Sequence, residues 1–306
     1  MKMLVVGAGS VGGYFGGRLA AAGRDVTFLV RAQRAAQLAA GLVIATPGGR
    51  TTIPVRTLRA SQVSRDFDVI LVAVKAYQLQ AAVEDFGPFV TEGTLVVPLL
   101  NGIRHLELLR ARFGAARVVG GVARIGTSLN DDGWIIDQGR FHDLAFGEFS
   151  RARTARIDAL DSFLRVAGFD ARVSPDIERE LWEKWAMLAA VGAVTCLMDG
   201  TLGEVARVPG GADIAGRMFA EVCSVIESEW QPLEPAFKEQ TLAMLTDTSS
   251  PQTSSMFRDL KAGRPIEADQ IIGDLVARAL GRGTAIPLLS CVLARLRVYE
   301  GRAAAG

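Results

Sequence analysis

Short apolar runs alternate with segments of helical period through the first half of the chain, and helical periods alone fill the second. Residues 1–6 (MKMLVV), 25–30 (DVTFLV), 68–74 (DVILVAV) and 95–98 read as strands. The third is apolar at nearly every position after Asp68, as strands covered on both faces are. A helix-compatible segment joins the first two and stops at Gly23, and another helix-prone stretch reaches Ala40. Residues 117–120 read as one more buried strand. Residues 42–45 and 51–55 flank Pro47-Gly48-Gly49 and predict a hairpin. Polar turns between residues 123 and 149 predict an antiparallel meander, followed by a helix over 154–167 and a last strand over 170–173. This alternation predicts a parallel sheet with helices on its faces.

At Ser174-Pro175-Asp176 the pattern changes, and Ser174 or Asp176 suits a helix N-cap. Beyond it the 3.6-residue period predicts helices over 177–198, 211–229, 235–246, 267–280 and 287–299, with a frayed GRAAAG tail. The expected division is therefore 1–174 and 175–306, an α/β domain followed by an all-helical one, with small molecules bound in the cleft between them.

Between the first strand and its helix lies Gly7-Ala8-Gly9-Ser10-Val11-Gly12. A G-x-G-x-x-G turn in a βαβ setting is the dinucleotide fingerprint of a Rossmann-type doubly wound sheet. Gly7 permits the tight turn, Gly9 lets the backbone approach a pyrophosphate, and Gly12 lets helix and strand pack closely. Ser10 and Val11 open the helix, whose free N–H groups and dipole face the phosphates. A carboxylate ending the second strand would hold the ribose diol of NAD. This chain has Arg31 there, with Arg34 one turn on. Guanidinium groups suit a 2′-phosphate, so NADP(H) is the expected cofactor.

Composition narrows the field. A chain of 306 residues, 49% hydrophobic and 22% charged, has room for two globular domains. Its net charge of +1 gives no electrostatic reason to bind nucleic acid or an anionic membrane. The three cysteines (Cys196, Cys223, Cys291) are scattered without metal spacing and read as small core residues in a reducing compartment. No signal-peptide layout is visible and no apolar run approaches the ~18 residues of a membrane span, so a cytoplasmic location is expected. Two histidines, His105 and His142, leave little for a His-centred mechanism or metal site.

Candidate chemistry sits elsewhere. Lys75, in VKAYQ, follows a buried strand at the edge where such sheets bind ligands; it reads equally as a solvated lysine starting a helix. Asn101, in LLNG, offers two donors and an acceptor, although Asn-Gly is also a favoured turn pair. Lys184, in LWEKW, stands between aromatic residues that would lower its pKa and ease proton donation; a snorkelling surface lysine fits the same residues. Ser255 and Glu267 lie in a polar run where either helix capping or ligand contact explains them.

These stretches together, GAGSVGGYFGGRLA with Arg31, VKAYQ, LLNG, LWEKW and TSSMFRDLKAGRPIEADQIIG, resemble the ketopantoate reductase (2-dehydropantoate 2-reductase) family over nearly the whole chain. The resemblance implies NADPH reducing the ketone of a small 2-oxo acid in a two-domain, often dimeric enzyme. It implies Lys184 as general acid, Glu267 on the substrate alcohol and beside the cofactor, and Ser255 on the substrate carboxylate. Lys75 and Asn101 would line the junction of cofactor and substrate. The chain departs from the family one and two turns after that lysine, where asparagines are replaced by Leu188 and Gly192. Thr195 is the next polar side chain on that face and the expected remaining grip on a substrate hydroxyl. Leucine in place of an amide favours a different, more apolar 2-oxo acid. An NADPH-binding regulator without chemistry is the third reading, opposed by the retention of Lys184, Ser255 and Glu267.

Overall fold

The structure is a computed structural model that describes residues 1–62 and 66–305. In chain order its elements are β1 (Lys2–Val6), α1 (Ser10–Ala21), β2 (Asp25–Leu29), α2 (Ala32–Leu38), β3 (Leu42–Thr46), β4 (Gly49–Ile53), β5 (Arg56–Leu58), β6 (Val69–Val72), α3 (Leu79–Phe86), β7 (Leu95–Pro98), α4 (Arg104–Phe113), β8 (Gly120–Leu129), β9 (Ile135–Gly147), α5 (Ala155–Leu164) and β10 (Asp170–Val173). The helices α6 (Ile177–Met198), α7 (Leu202–Arg207), α8 (Gly211–Glu229), α9 (Pro235–Leu245), α10 (Ser255–Lys261), α11 (Asp274–Arg282) and α12 (Pro287–Ala305) follow.

Among the described residues a five-stranded parallel sheet has the order β5-β2-β1-β6-β7. Its central strands are apolar apart from the exposed Lys2 that opens β1: Val69–Val72 and Met3–Val6 are all buried. α1 packs directly on the sheet because glycines bring its axis close. A Cβ on Gly12 would collide with the Gly7 carbonyl oxygen, and one on Gly16 would stand 2.7 Å from the Phe28 ring. The second sheet runs β10-β9-β3-β4, with β8 paired to β9. The expected α/β class with a doubly wound sheet and a helical second part is what the chain forms.

The chain divides into two compact units, Met1–Leu100 with His105–Leu181, and Asn101–Arg104 with Trp182–Gly306. The division falls inside α6, after Leu181. By length and composition α6 could cross a membrane, but 67% of its most apolar window is buried inside the protein, as in a core helix.

Several expectations need correction. Residues 117–120 form no strand of the parallel sheet: a 3-10 turn (Ala115–Arg117) leads to a single bridge from Val118 to Val96, then into β8. The expected meander is one long hairpin of β8 and β9, with a register shift between Ile125 and Thr127. β9 then borders β3 through Ile135 and Ile136, and β10 through residues 143–146. The helix expected over 267–280 opens with a π-helical turn (Asp269–Gly273) before α11. The tail is not frayed as far as it is described, since α12 continues through Ala305; Gly306 lies outside the described residues. Cys196 and Cys223 are buried, whereas Cys291 is exposed and not part of a core.

Candidate active site

The glycine loop is built by the end of β1. Gly7 has φ of 93° and donates its N–H to the Leu29 oxygen at 3.2 Å, tying the loop to β2. That dihedral lies in the left-handed region, where a side chain would be strained. Gly9 caps α1 with φ of −80°, and a Cβ built there meets nothing within 4 Å. The backbone at Gly9 is therefore open on the side where a pyrophosphate would approach, and Ser10 and Val11, both half-buried, start the helix behind it. A cavity of about 550 Å³ opens beside the loop, lined by Gly7, Gly9, Arg31, Arg34 and Arg59 among others. A bare loop, an open Gly9 face and converging guanidinium groups suit the adenosine and phosphate portion of a dinucleotide.

Arg31 stands exposed just ahead of α2 with extended backbone. Arg34, one turn on, faces inward. Its Nε donates to the Ala8 oxygen at 2.9 Å, and its Nη1 to the Gly133 oxygen at 2.8 Å. Burial pushes its pKa below the ordinary arginine value. Arg34 thus fastens the glycine loop to the β8–β9 turn through Nε and Nη1, while it lines the same cavity as Arg31. Lys75 lies half-buried after β6, in extended conformation ahead of a 3-10 turn (Ala76–Gln78), at the carboxyl edge of the parallel sheet.

The second unit gathers most of the remaining candidates around the π-helical turn. Lys184 is half-buried in α6 between Trp182 and Trp185, which are 7% and 1% exposed. The Trp185 Nε1–H donates to the Ile271 oxygen at 3.0 Å, fastening α6 next to Lys184 onto that turn. Glu267, 6% exposed, lies two residues before the turn, and the Ile271 N–H donates to its backbone oxygen at 3.1 Å. Gln270 donates through Nε2 to the Asn101 oxygen at 3.0 Å. Gly102 fits against the same residue: with φ of 73°, its Cβ would come within 2.8 Å of the Gln270 oxygen. One irregular turn therefore touches the helix of Lys184, the segment of Asn101 and the backbone of Glu267. π-Turns of this kind recur at functional sites. Sequence reading missed Gln270 and Trp185 as the connectors; the only local signal was their position inside motifs noted for their neighbours.

Ser255 is the half-buried first residue of α10, whose N-cap Ser254 accepts the Phe257 N–H at 2.9 Å. Thr195 does not reach toward open space. It is fully buried, donates to the Val191 oxygen at 2.7 Å and lies 3.1 Å from the Ser254 oxygen. Its hydroxyl fastens α6 to the start of α10, which corrects its assignment as a substrate contact. Gly192 is covered by Met256, whose Cε would stand 3.0 Å from a Cβ there, and Leu188 is half-buried one turn earlier.

A glycine loop under a parallel sheet, followed by helices that carry the polar residues, defines a dinucleotide-binding oxidoreductase. Comparison with known proteins gives the particular family. Residues 3–151 match the family described as Ketopantoate reductase PanE/ApbA, and residues 176–300 match its C-terminal part. The chain is 38% identical to an uncharacterized oxidoreductase, YkpB of Bacillus subtilis, over 98% of this chain and 99% of that protein. A crystal structure of a PanE/ApbA family ketopantoate reductase from Ralstonia eutropha JMP134 superposes with a TM-score of 0.88 at 25% identity, covering 99% of each chain. A D-mandelate dehydrogenase solved with NADH and anilino(oxo)acetate shares the fold, with a TM-score of 0.89 at 21% identity over 99% of each chain. The chain belongs to the ketopantoate reductase family, and with it to the oxidoreductases that use a nicotinamide cofactor.

Proposed function

We propose that the protein reduces a 2-oxo acid to the 2-hydroxy acid with NADPH, with 2-dehydropantoate (ketopantoate) the first substrate to test. The observation that carries this reading is the fastening of α6, beside Lys184, onto the turn that follows Glu267. NADPH, when bound, supplies a hydride to the carbonyl carbon and leaves as NADP+. The Lys184 ammonium stabilises the charge that develops on the carbonyl oxygen, then gives it a proton and becomes a neutral amine. Glu267 accepts a hydrogen bond from the resulting alcohol, and Ser255 donates to the substrate carboxylate. Lys75 and Asn101 line the reacting end of the cofactor. Gly7, Gly9 and Gly12 shape the pyrophosphate cradle, and Arg31 faces the 2′-phosphate.

A second reading keeps this chemistry and changes the acid. Leu188, and Met256 seated over Gly192, make that face of α6 apolar, while the Thr195 hydroxyl is committed to Val191 and Ser254. A site that lacks partners for a substrate hydroxyl discriminates weakly in its favour and gains more from an apolar C3 substituent. Following the absorbance of reduced nicotinamide with ketopantoate and with a panel of other 2-oxo acids tests both readings. Turnover with ketopantoate supports the first. Turnover only with more apolar 2-oxo acids replaces it with the second. Silence across the panel with both NADPH and NADH overturns the reductase reading.

A further inference from the structure

The cavity beside the glycine loop presents a second exposed guanidinium, that of Arg59, just beyond a strand too short and polar to be read from sequence. Strands β2 and β5 are parallel neighbours, with Leu29 opposite Leu58, and the Val30 N–H continues the ladder by donating to the Leu58 oxygen at 3.0 Å. Arg31 and Arg59 therefore leave the sheet at the carboxyl ends of two adjacent strands, the edge where open α/β sheets take their ligands. Both line the same cavity of about 550 Å³.

Their state differs from that of Arg34 on the same cavity. The Arg34 guanidinium is bound to two backbone oxygens, whereas among the described residues neither the Arg31 nor the Arg59 guanidinium has a hydrogen-bond or ion-pair partner. The backbone that carries Arg59 is nonetheless held: its N–H donates to the Gln62 side chain at 2.7 Å, and the Gln62 N–H returns to the Arg59 oxygen at 2.9 Å. Asp85 on α3 is the carboxylate of this cavity and pairs with neither arginine. Two cations at one mouth, unpaired among the described residues, repel each other until an anion arrives. A phosphate monoester dianion neutralises both and accepts from two guanidinium forks at once, whereas a ribose diol does neither.

We propose that Arg59 is the second arm of a clamp, with Arg31, on the 2′-phosphate of NADPH, and so a determinant of cofactor choice. The inference rests on the NADPH reading above, and its test separates the two. NADPH, NADH, 2′,5′-ADP and 5′-AMP are titrated calorimetrically into the full-length wild type, Arg59→Ala, Arg59→Lys and Arg31→Ala. Arg59→Ala is expected to weaken NADPH and 2′,5′-ADP about 10- to 50-fold, the range of a charge-assisted contact. NADH and 5′-AMP should change less than about twofold, with Arg59→Lys intermediate for the phosphorylated pair. If the wild type binds NADPH and NADH equally, the NADPH reading falls and the clamp with it. If the wild type prefers NADPH, Arg31→Ala abolishes that preference and Arg59→Ala preserves it, the NADPH reading stands and the role of Arg59 is overturned. Equal weakening of both dinucleotides by Arg59→Ala also overturns it.

Discussion

Replacing Glu180 by glutamine should destabilise the protein by about 2 to 3 kcal/mol at neutral pH and by progressively less in acid. Glu180 lies in the first turn of α6, one turn before Lys184, and is bound by arginines from two strands. Its carboxylate accepts from Arg172 Nη1 at 2.7 Å and Nη2 at 2.5 Å, and from Arg124 Nη1 at 3.0 Å. Asp143 of β9 accepts from Arg172 Nε at 2.9 Å and shares Arg124 Nη1 with Glu180, at 3.0 Å, so the helix start is tied across β8, β9 and β10. Burial alone would raise the Glu180 pKa. Hydrogen bonds from Arg172, with those from Ser174 and Arg124, outweigh burial and bring it from 4.5 down to about 2. At 1.36 kcal/mol per unit that difference is worth about 3 kcal/mol. The arginine side chains are 34% and 40% exposed, so water screens the pairs and about 2 kcal/mol is the lower expectation. A folded-state pKa below the unfolded value stabilises fully above about pH 4.5, and the contribution is lost as pH falls toward about 2. Glutamine mimics the protonated acid at every pH. The gap in urea-unfolding free energy between wild type and Glu180→Gln, followed by circular dichroism, should hold steady above about pH 4.5. Below that it should shrink by about 1.4 kcal/mol per pH unit. A gap under about 0.5 kcal/mol at pH 7, or one that fails to narrow between about pH 4.5 and 3, refutes the assignment of stability to this network.

Lys184→Ala should leave NADPH affinity unchanged in a fluorescence titration and lower turnover by about 10² to 10³, and unaltered turnover would remove Lys184 from proton donation. Gly9→Ala has open space for its methyl and should keep the wild-type thermal midpoint while losing dinucleotide affinity; a lowered midpoint with intact affinity contradicts the cradle. Gly12→Ala should instead lower that midpoint and destabilise by about 1 to 3 kcal/mol, because its Cβ would collide with the Gly7 oxygen; an unchanged midpoint contradicts the close packing of α1 on the sheet. Thr195→Val should cost about 1 kcal/mol in chemical unfolding without changing KM for the 2-oxo acid, and a several-fold rise in KM would return the hydroxyl to the substrate.

What could be read from the chain divides by the range of the forces involved. The glycine loop and the apolar strands β1, β6 and β7 are local signals, written in consecutive residues, and they form as expected. The hairpin of β8 and β9 was hidden because Gly139, with φ of 68°, and the register shift after Ile125 look in sequence like turns between separate strands. Side-chain type placed Arg34 and Thr195 near the right loops but not their direction. Arg34 is oriented by Gly133, 99 residues away, and Thr195 by Ser254, 59 residues away. A hydroxyl or guanidinium is drawn to the nearest unsatisfied buried partner, and nothing in its own neighbours reveals that the partner exists. Arg31 and Arg59 make the contrast sharpest. Arg31 stands out because it follows an evident apolar strand, whereas Arg59 follows β5, three residues (RTL) with no fully buried position. β5 is a strand only because β2 pairs with it. The register of Leu29 with Leu58, a contact between distant residues, is what brings the two cations to one mouth. The place of Arg59 beside Arg31 is thus set by strand pairing as much as by residue identity. Exchanged with Leu58, the arginine would sit inside the register opposite Leu29 rather than just beyond the strand, with the composition of the chain unchanged.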